Sequence, residues 1–177
     1  MKIYDCFMYF DEDTVLDLRL NYLNKFVDQF IIVESKFTHR GGQKELLFDI
    51  DKYSKFKDKI TYLTVDQEPD DLHTINADDD ENTLSKKYIL NAAKRENYQR
   101  NYILKGIEKA DLNDLILISD LDEIPNLEKI DFNNLKSKFI FFQQKMFYYK
   151  FNLYLPSVIW TGSKACKKKN LISPQWL

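Results

Sequence analysis

The sequence predicts an α/β fold with a mostly parallel central sheet flanked by helices, and three observations predict it. Leu115–Ile118 is an unbroken aliphatic run, the pattern of a strand buried on both faces. Phe30, Ile31, Ile32 and Val33 repeat that pattern, and both runs stop abruptly at acidic residues. Segments with helical apolar spacing lie before each run, so strands and helices alternate as in βαβ units with right-handed crossovers.

Taken in order, residues 2–9 read as a first strand, bounded by the acidic turn Asp11-Glu12-Asp13. Asp13 or Thr14 is placed to cap a helix. From Val15 the apolar positions Leu16, Leu20, Leu23 and Val27 recur at helical spacing, predicting that helix to about Phe26. The second strand closes at Glu34-Ser35, and a loop with Lys36, His39, Arg40, Gly41 and Gly42 comes next. Residues 53–59 form a basic connection, and Ile60–Val65 alternates like a strand. Residues 66–82 are acid-rich, contain Pro69 and read as a solvated, mobile loop. Helical spacing returns over residues 84–110 and leads into Leu115–Ile118. Beyond Pro125 a short helical or irregular piece precedes two aromatic strand-like runs, 139–142 and 147–151. Such stripes are usually core; here they also suit the floor of a sugar groove. Lys167, Lys168 and Lys169 read as a solvated turn or as a contact for an anionic acceptor.

The 177 residues predict one domain, 1–177, with 44% apolar and 31% charged residues and a net charge of −2. That charge gives no general attraction to nucleic acid. Cys6 and Cys166 lie far apart and suggest neither a disulfide framework nor a zinc cluster. No signal peptide or membrane-spanning run is evident, which predicts a cytoplasmic location.

The chemistry concentrates in Ser119-Asp120-Leu121-Asp122-Glu123-Ile124-Pro125. Three carboxylates crowd the end of an apolar strand, and Pro125 prevents the ladder from continuing. Open α/β sheets place ligands at such carboxyl ends. Crowded carboxylates repel one another, and desolvation raises the cost. A hard divalent cation, Mg²⁺ or Mn²⁺, relieves the repulsion and shares its oxygen ligands with substrate phosphate. The sharper reading is an Asp-x-Asp site for metal and nucleotide phosphate; the plainer one is a polar turn with capping acids. Glu34, at the other strand end, suits hydrogen bonds from ribose or base groups, or a mere connecting loop. Glu96 and Arg100 form an i,i+4 pair, or Arg100 reaches the sheet rim and binds phosphate as a planar fork. His39 and His73 stay unassigned. A phosphotransferase or hydrolase is disfavoured, because no G-x-x-x-x-G-K-[ST] phosphate loop exists.

On these residues the chain resembles family 17 glycosyltransferases, relatives of the vertebrate enzyme that adds the bisecting N-acetylglucosamine to the core mannose of N-glycans. The matching features, in the same order, begin with Tyr4-Asp5-Cys6-Phe7 and its acidic turn, Leu18-Arg19, and Val33-Glu34-Ser35-Lys36-Phe37-Thr38. Arg95-Glu96 to Arg100 and the Asp120 stretch complete them. The resemblance implies a GT-A-type nucleotide-diphosphosugar transferase fold. It also implies a UDP-sugar donor (N-acetylglucosamine or a related hexose), a divalent cation, Mn²⁺ or Mg²⁺, and transfer with inversion to a glycan or glycolipid acceptor. It makes Asp122 the main metal ligand and, with Glu123, part of the catalytic set. Asp120 binds the ribose or supports the metal, and Glu123 stands behind the ligands or faces the sugar. Glu34 falls at the uridine side and Arg100 near the diphosphate. Family members continue with a segment containing His and Trp residues, so the fold is expected to be C-terminally incomplete, a donor-binding part without a nameable general base. The alternative expectation is a truncated, non-catalytic nucleotide-sugar-binding fragment. The family's Golgi anchor has no counterpart here, which points to a microbial or viral protein acting on a surface-glycan precursor.

Overall fold

The computed structural model describes residues 1–150 and 152–177. In chain order it contains β1 (Ile3–Tyr9), α1 (Asp13–Leu23), β2 (Gln29–Ser35), β3 (Ile60–Val65), α2 (Glu81–Asn101), α3 (Ile103–Gly106) and β4 (Leu115–Ile118). Then come β5 (Phe139–Phe141), β6 (Gln144–Phe147), β7 (Tyr154–Trp160) and β8 (Lys164–Lys167). Among the described residues six strands form one sheet in the order β3-β2-β1-β4-β8-β5, and β6 and β7 form a separate antiparallel pair. The fold is mixed α/β, and β1 to β4 are mutually parallel wherever they pair, as the sequence predicts. β8 runs antiparallel to both β4 and β5, an arrangement that no local sequence pattern separates out.

The strands are apolar on both faces because both faces are covered. Ile3, Phe7 and Tyr9 of β1, Phe30 and Ile32 of β2, and Leu115 and Leu117 of β4 pack on one side with α1. The alternate residues Tyr4, Cys6, Ile31, Val33, Ile116 and Ile118 pack on the other with Ile103, Ile107 and Ala110. α1 buries Leu16, Arg19, Leu20 and Leu23, a single stripe at i, i+3, i+4, i+7. Each of its leucines contributes about 1.5–3 kcal/mol by leaving water. Arg19 occupies a position that the pattern reserves for an apolar residue. Both cysteines are free and buried, and burial pushes the Cys166 thiol up to about 11 and the Cys6 thiol well above its ordinary value.

Several boundaries differ from expectation for identifiable reasons. α1 ends at Leu23 rather than near Phe26, and Lys59 Nζ bonds the carbonyls of Asn24 and Val27 just beyond it. Asp13 does not cap that helix. Its carboxylate accepts hydrogen bonds from Lys52, Tyr9 and Tyr53, and these hold it below its ordinary range. The basic connection 53–59 lies within a 3-10 stretch, residues 50–59, that is kinked at Tyr53. The acid-rich loop has no regular structure but lies along α2. Asn91 brackets the His73 backbone, and Lys87 and Lys94 pair with Asp79 and Asp71. α2 begins at Glu81 because Asp80 accepts from the Thr83 N–H at 2.7 Å.

Of the aromatic run 147–151, Phe147 belongs to a strand and residues 148–150 do not. Phe147 ends β6, and Tyr149 turns the chain with a positive φ of 62°. Phe151 lies outside the described residues. Gln144, Lys145 and Met146, read as the link between two aromatic runs, form β6 itself and pair with β7.

Candidate functional site

The strand order puts a topological switch at β1. β2 and β3 build outward on one side of it and β4 lies on the other, so a crevice opens at the carboxyl ends of β1 and β4. A cleft of about 820 Å³ sits there. Met8 and Tyr9 line it from β1 and Phe10 from just beyond it, Ser35 and the loop after it from β2, and Asp120, Leu121 and Asp122 from beyond the end of β4; Glu96, Gln99 and Arg100 close it from α2.

The acidic turn is shaped from below by Arg19. Its guanidinium is fully buried and grips Asp5, also fully buried, through Nε at 2.8 Å and Nη2 at 2.7 Å. The remaining donors reach Ser119 Oγ at 2.6 Å and the carbonyls of Asp120 and Leu121 at 2.8 and 2.9 Å. The plane stacks over Phe7, 4.5 Å from its ring centre. A buried cation is tolerated only when paired and fully hydrogen-bonded, and Arg19 meets that condition. With its carbonyls drawn inward, the turn leaves the Asp120 and Asp122 side chains at the cleft. Asp122 is exposed, and its carboxylate has no hydrogen-bond or ion-pair partner among the described residues. Asp120 is half exposed and accepts from Arg100 Nη2 at 3.0 Å.

Glu123 does not line the cleft. One carboxylate oxygen accepts the Asp120 N–H at 3.0 Å, and the other accepts the indole N–H of Trp160. The Glu123 carbonyl takes the Ser163 hydroxyl at 2.6 Å. Gly162 makes this contact possible, since a Cβ there would overlap both Glu123 carboxylate oxygens. Gly162→Ala is therefore expected to push the flexible end of Glu123 off the Asp120 N–H and to cost about 1 kcal/mol, that of the lost hydrogen bond. In a Glu123→Ala background the same change should cost far less, a coupling that urea denaturation of the double-mutant cycle measures.

Glu34 is also placed differently from the uridine-side expectation. It is fully buried and does not line the cleft. It accepts from Lys44 Nζ at 2.5 Å, from the Leu47 and Phe48 N–H groups at 2.8 and 3.1 Å, and from the Tyr62 hydroxyl at 2.8 Å. Burial, then that bond to Glu34, pushes the Tyr62 ionisation far above the phenol range, so it remains a donor. Glu34 thus ties residues 44–48 back across β2, while its neighbour Ser35 faces the cleft. Residues 36–44 form a tight hairpin around the Phe37 and Gln43 bridge. Gly41 adopts φ +90° at its turn, and Arg95 bonds the His39 carbonyl beside it at 3.3 Å. This hairpin carries His39 and Arg40 to the cleft.

The structure therefore brings Asp120, Asp122 and Arg100 together and sets Glu123 and Glu34 behind the walls. Arg100 makes both contacts weighed from sequence, the i,i+4 pair with Glu96 and a reach to the sheet rim. Lys168 and Lys169 are engaged with backbone carbonyls and Asn113. Sequence reading missed the structural role of Arg19 and Asp5. The signal was present: opposite charges, each inside an otherwise apolar pattern.

No group of three or more His, Cys, Asp or Glu side chains suited to a metal exists among the described residues. Asp120 and Asp122 still fit a small hard cation, because Mg²⁺-type sites use one or two carboxylates and complete the shell with water and substrate phosphate. Asp122 has no partner among the described residues and is open to the cleft, so it would be the first to hold such a cation.

The molecule is thus an α/β protein with a cleft at the switch point of its sheet, walled in part by carboxylates and an arginine. The family model for glycosyltransferase family 17 matches residues 1–171, and the chain belongs to that family. It is thus a glycosyltransferase, and membership implies a nucleotide-sugar donor and a glycan acceptor. No curated protein and no solved structure matches the chain. Among the described residues no helix is long and apolar enough to cross a membrane.

Proposed function

We propose that this chain is a metal-dependent transferase of the GT-A type, moving N-acetylglucosamine or a related hexose from a UDP-sugar to a glycan or glycolipid with inversion. The observation that carries the reading is the convergence of Asp120, Asp122 and Arg100 on one cleft at the switch point of the sheet. Asp122 and Asp120 would hold Mn²⁺ or Mg²⁺, which when bound acts as a Lewis acid on the leaving diphosphate. Arg100 faces the same diphosphate with a planar donor fork. Met8, Phe10 and Phe37 give the cleft an apolar wall suited to a nucleobase, and Ser35 adds a hydroxyl beside it. Glu123 acts from behind: its bond to the Asp120 N–H and its contact with Trp160 fix the turn that presents the ligands. Glu34 does the same for residues 44–48.

A donor screen by thermal shift tests this. UDP and UDP-sugars at about 100 times their Kd should raise Tm by roughly 5–10 °C with Mn²⁺ present and by little without it. The absence of any metal-dependent nucleotide shift would overturn the proposal.

A further inference from the structure

Arg100 is held in an unusual compromise. One of its nitrogens, Nη2, serves two carboxylates at once, Asp120 Oδ1 and Glu96 Oε1, both at 3.0 Å. Its Nε is buried and has no acceptor. A guanidinium normally meets a carboxylate or phosphate with two parallel donors. Here the fork is unused and a buried donor is left orphaned. The arrangement is also accessible: the Arg100 side chain is 21% exposed and that of Asp120 50%. Both, with Glu96 and Asp122, line the same cleft.

We infer that Arg100 is a resident counter-ion for the metal site: it neutralises Asp120 in the empty cleft and must release that carboxylate before a divalent cation takes it, so that cation and nucleoside diphosphate bind cooperatively. The inference rests on the reading of the cleft as a metal–nucleotide site. A cation arriving alone at Asp120 competes with a positive charge already there and then faces it at close range. A diphosphate arriving alone draws Arg100 off Asp120 and leaves itself facing two aspartates that nothing then compensates. Bound together, the diphosphate gives the freed guanidinium, its Nε included, the acceptors it now lacks. Each ligand removes a cost that the other would otherwise bear, and such coupling is reciprocal. Glu96, one turn back on α2, is the alternative partner that keeps Arg100 charged and close when Asp120 is taken.

The test titrates Mn²⁺ into the full chain without nucleotide, by calorimetry or by the spin resonance of free Mn²⁺, and titrates UDP under saturating Mn²⁺. Arg100→Gln should bind Mn²⁺ alone about fivefold more tightly, as expected for loss of a half-exposed competing pair, yet bind UDP with Mn²⁺ at least about tenfold more weakly. Arg100→Lys keeps the charge without the fork, so Mn²⁺ alone should bind as in the wild type while UDP weakens. Glu96→Gln leaves Arg100 wholly to Asp120 and should weaken Mn²⁺ alone about twofold. Arg100→Gln binding Mn²⁺ alone no more tightly than wild type overturns the counter-ion role. If that variant does not fold, unchanged or tighter Mn²⁺ binding by Glu96→Gln overturns it instead. Either failure alongside intact Mn²⁺-dependent UDP binding by the wild type leaves the metal–nucleotide reading standing. A wild type that shows no such binding removes both.

Discussion

Arg19→Met is expected to lower the unfolding free energy by about 3–5 kcal/mol, because it leaves the Asp5 carboxylate buried without a counter-charge. Asp5 and Arg19 are both completely inaccessible, so water cannot take over the lost bonds. The carbonyls of Asp120 and Leu121 and the Ser119 hydroxyl also lose a donor. Urea denaturation measures the loss. A double replacement, Asp5→Leu with Arg19→Met, separates two roles of the pair. Buried ion pairs replaced together by apolar groups commonly keep or regain stability, so much of the loss should be recovered. Mn²⁺-dependent UDP binding should not return, because nothing then gathers the backbone of the acidic turn. A double variant that binds UDP as the wild type does would show the pair to be scaffolding alone.

Asp122→Ala should have the opposite profile. Its side chain is exposed and unpaired among the described residues, so stability should stay within about 0.5 kcal/mol of wild type. Mn²⁺-dependent UDP binding should fall by at least about 100-fold, since even residues that only support metal ligands cost 10–100-fold in affinity. Calorimetry with and without Mn²⁺ reads this directly. An unchanged affinity would remove Asp122 as a ligand. Together the two variants place the cost of folding on Arg19 and the cost of binding on Asp122, although the residues meet within one turn of chain.

The parallel half of the sheet was legible because β2 and β4 are compact apolar runs with sharp polar stops and β3 alternates. Ile60–Val65 and Leu115–Ile118 coincide with β3 and β4 to the residue. The antiparallel half was not. β7 contains Pro156 and is mostly exposed, so no burial pattern marks it. β8 is Lys-Ala-Cys-Lys, which locally reads as a basic turn; its strand character comes from pairing with β4, far away in sequence. At the site, Asp120 and Glu34 look alike in sequence, each an acid closing a buried strand. They diverge because residues 44–48 fold back over one and not the other, a long-range event without a local signature. Arg19 is the converse case: its placement on the apolar stripe of α1 was visible, but its partner lay on a different element.

Both native thiols sit inside the sheet layers, buried and held far from the thiolate state that reacts with alkylating reagents. Since the chain has only these two cysteines, a third one introduced at exposed Arg40, on the hairpin beside the cleft, would take a maleimide dye alone. The protein is in effect already prepared for single-site fluorescent reporting of nucleotide entry, with no need to strip its own sulfur first.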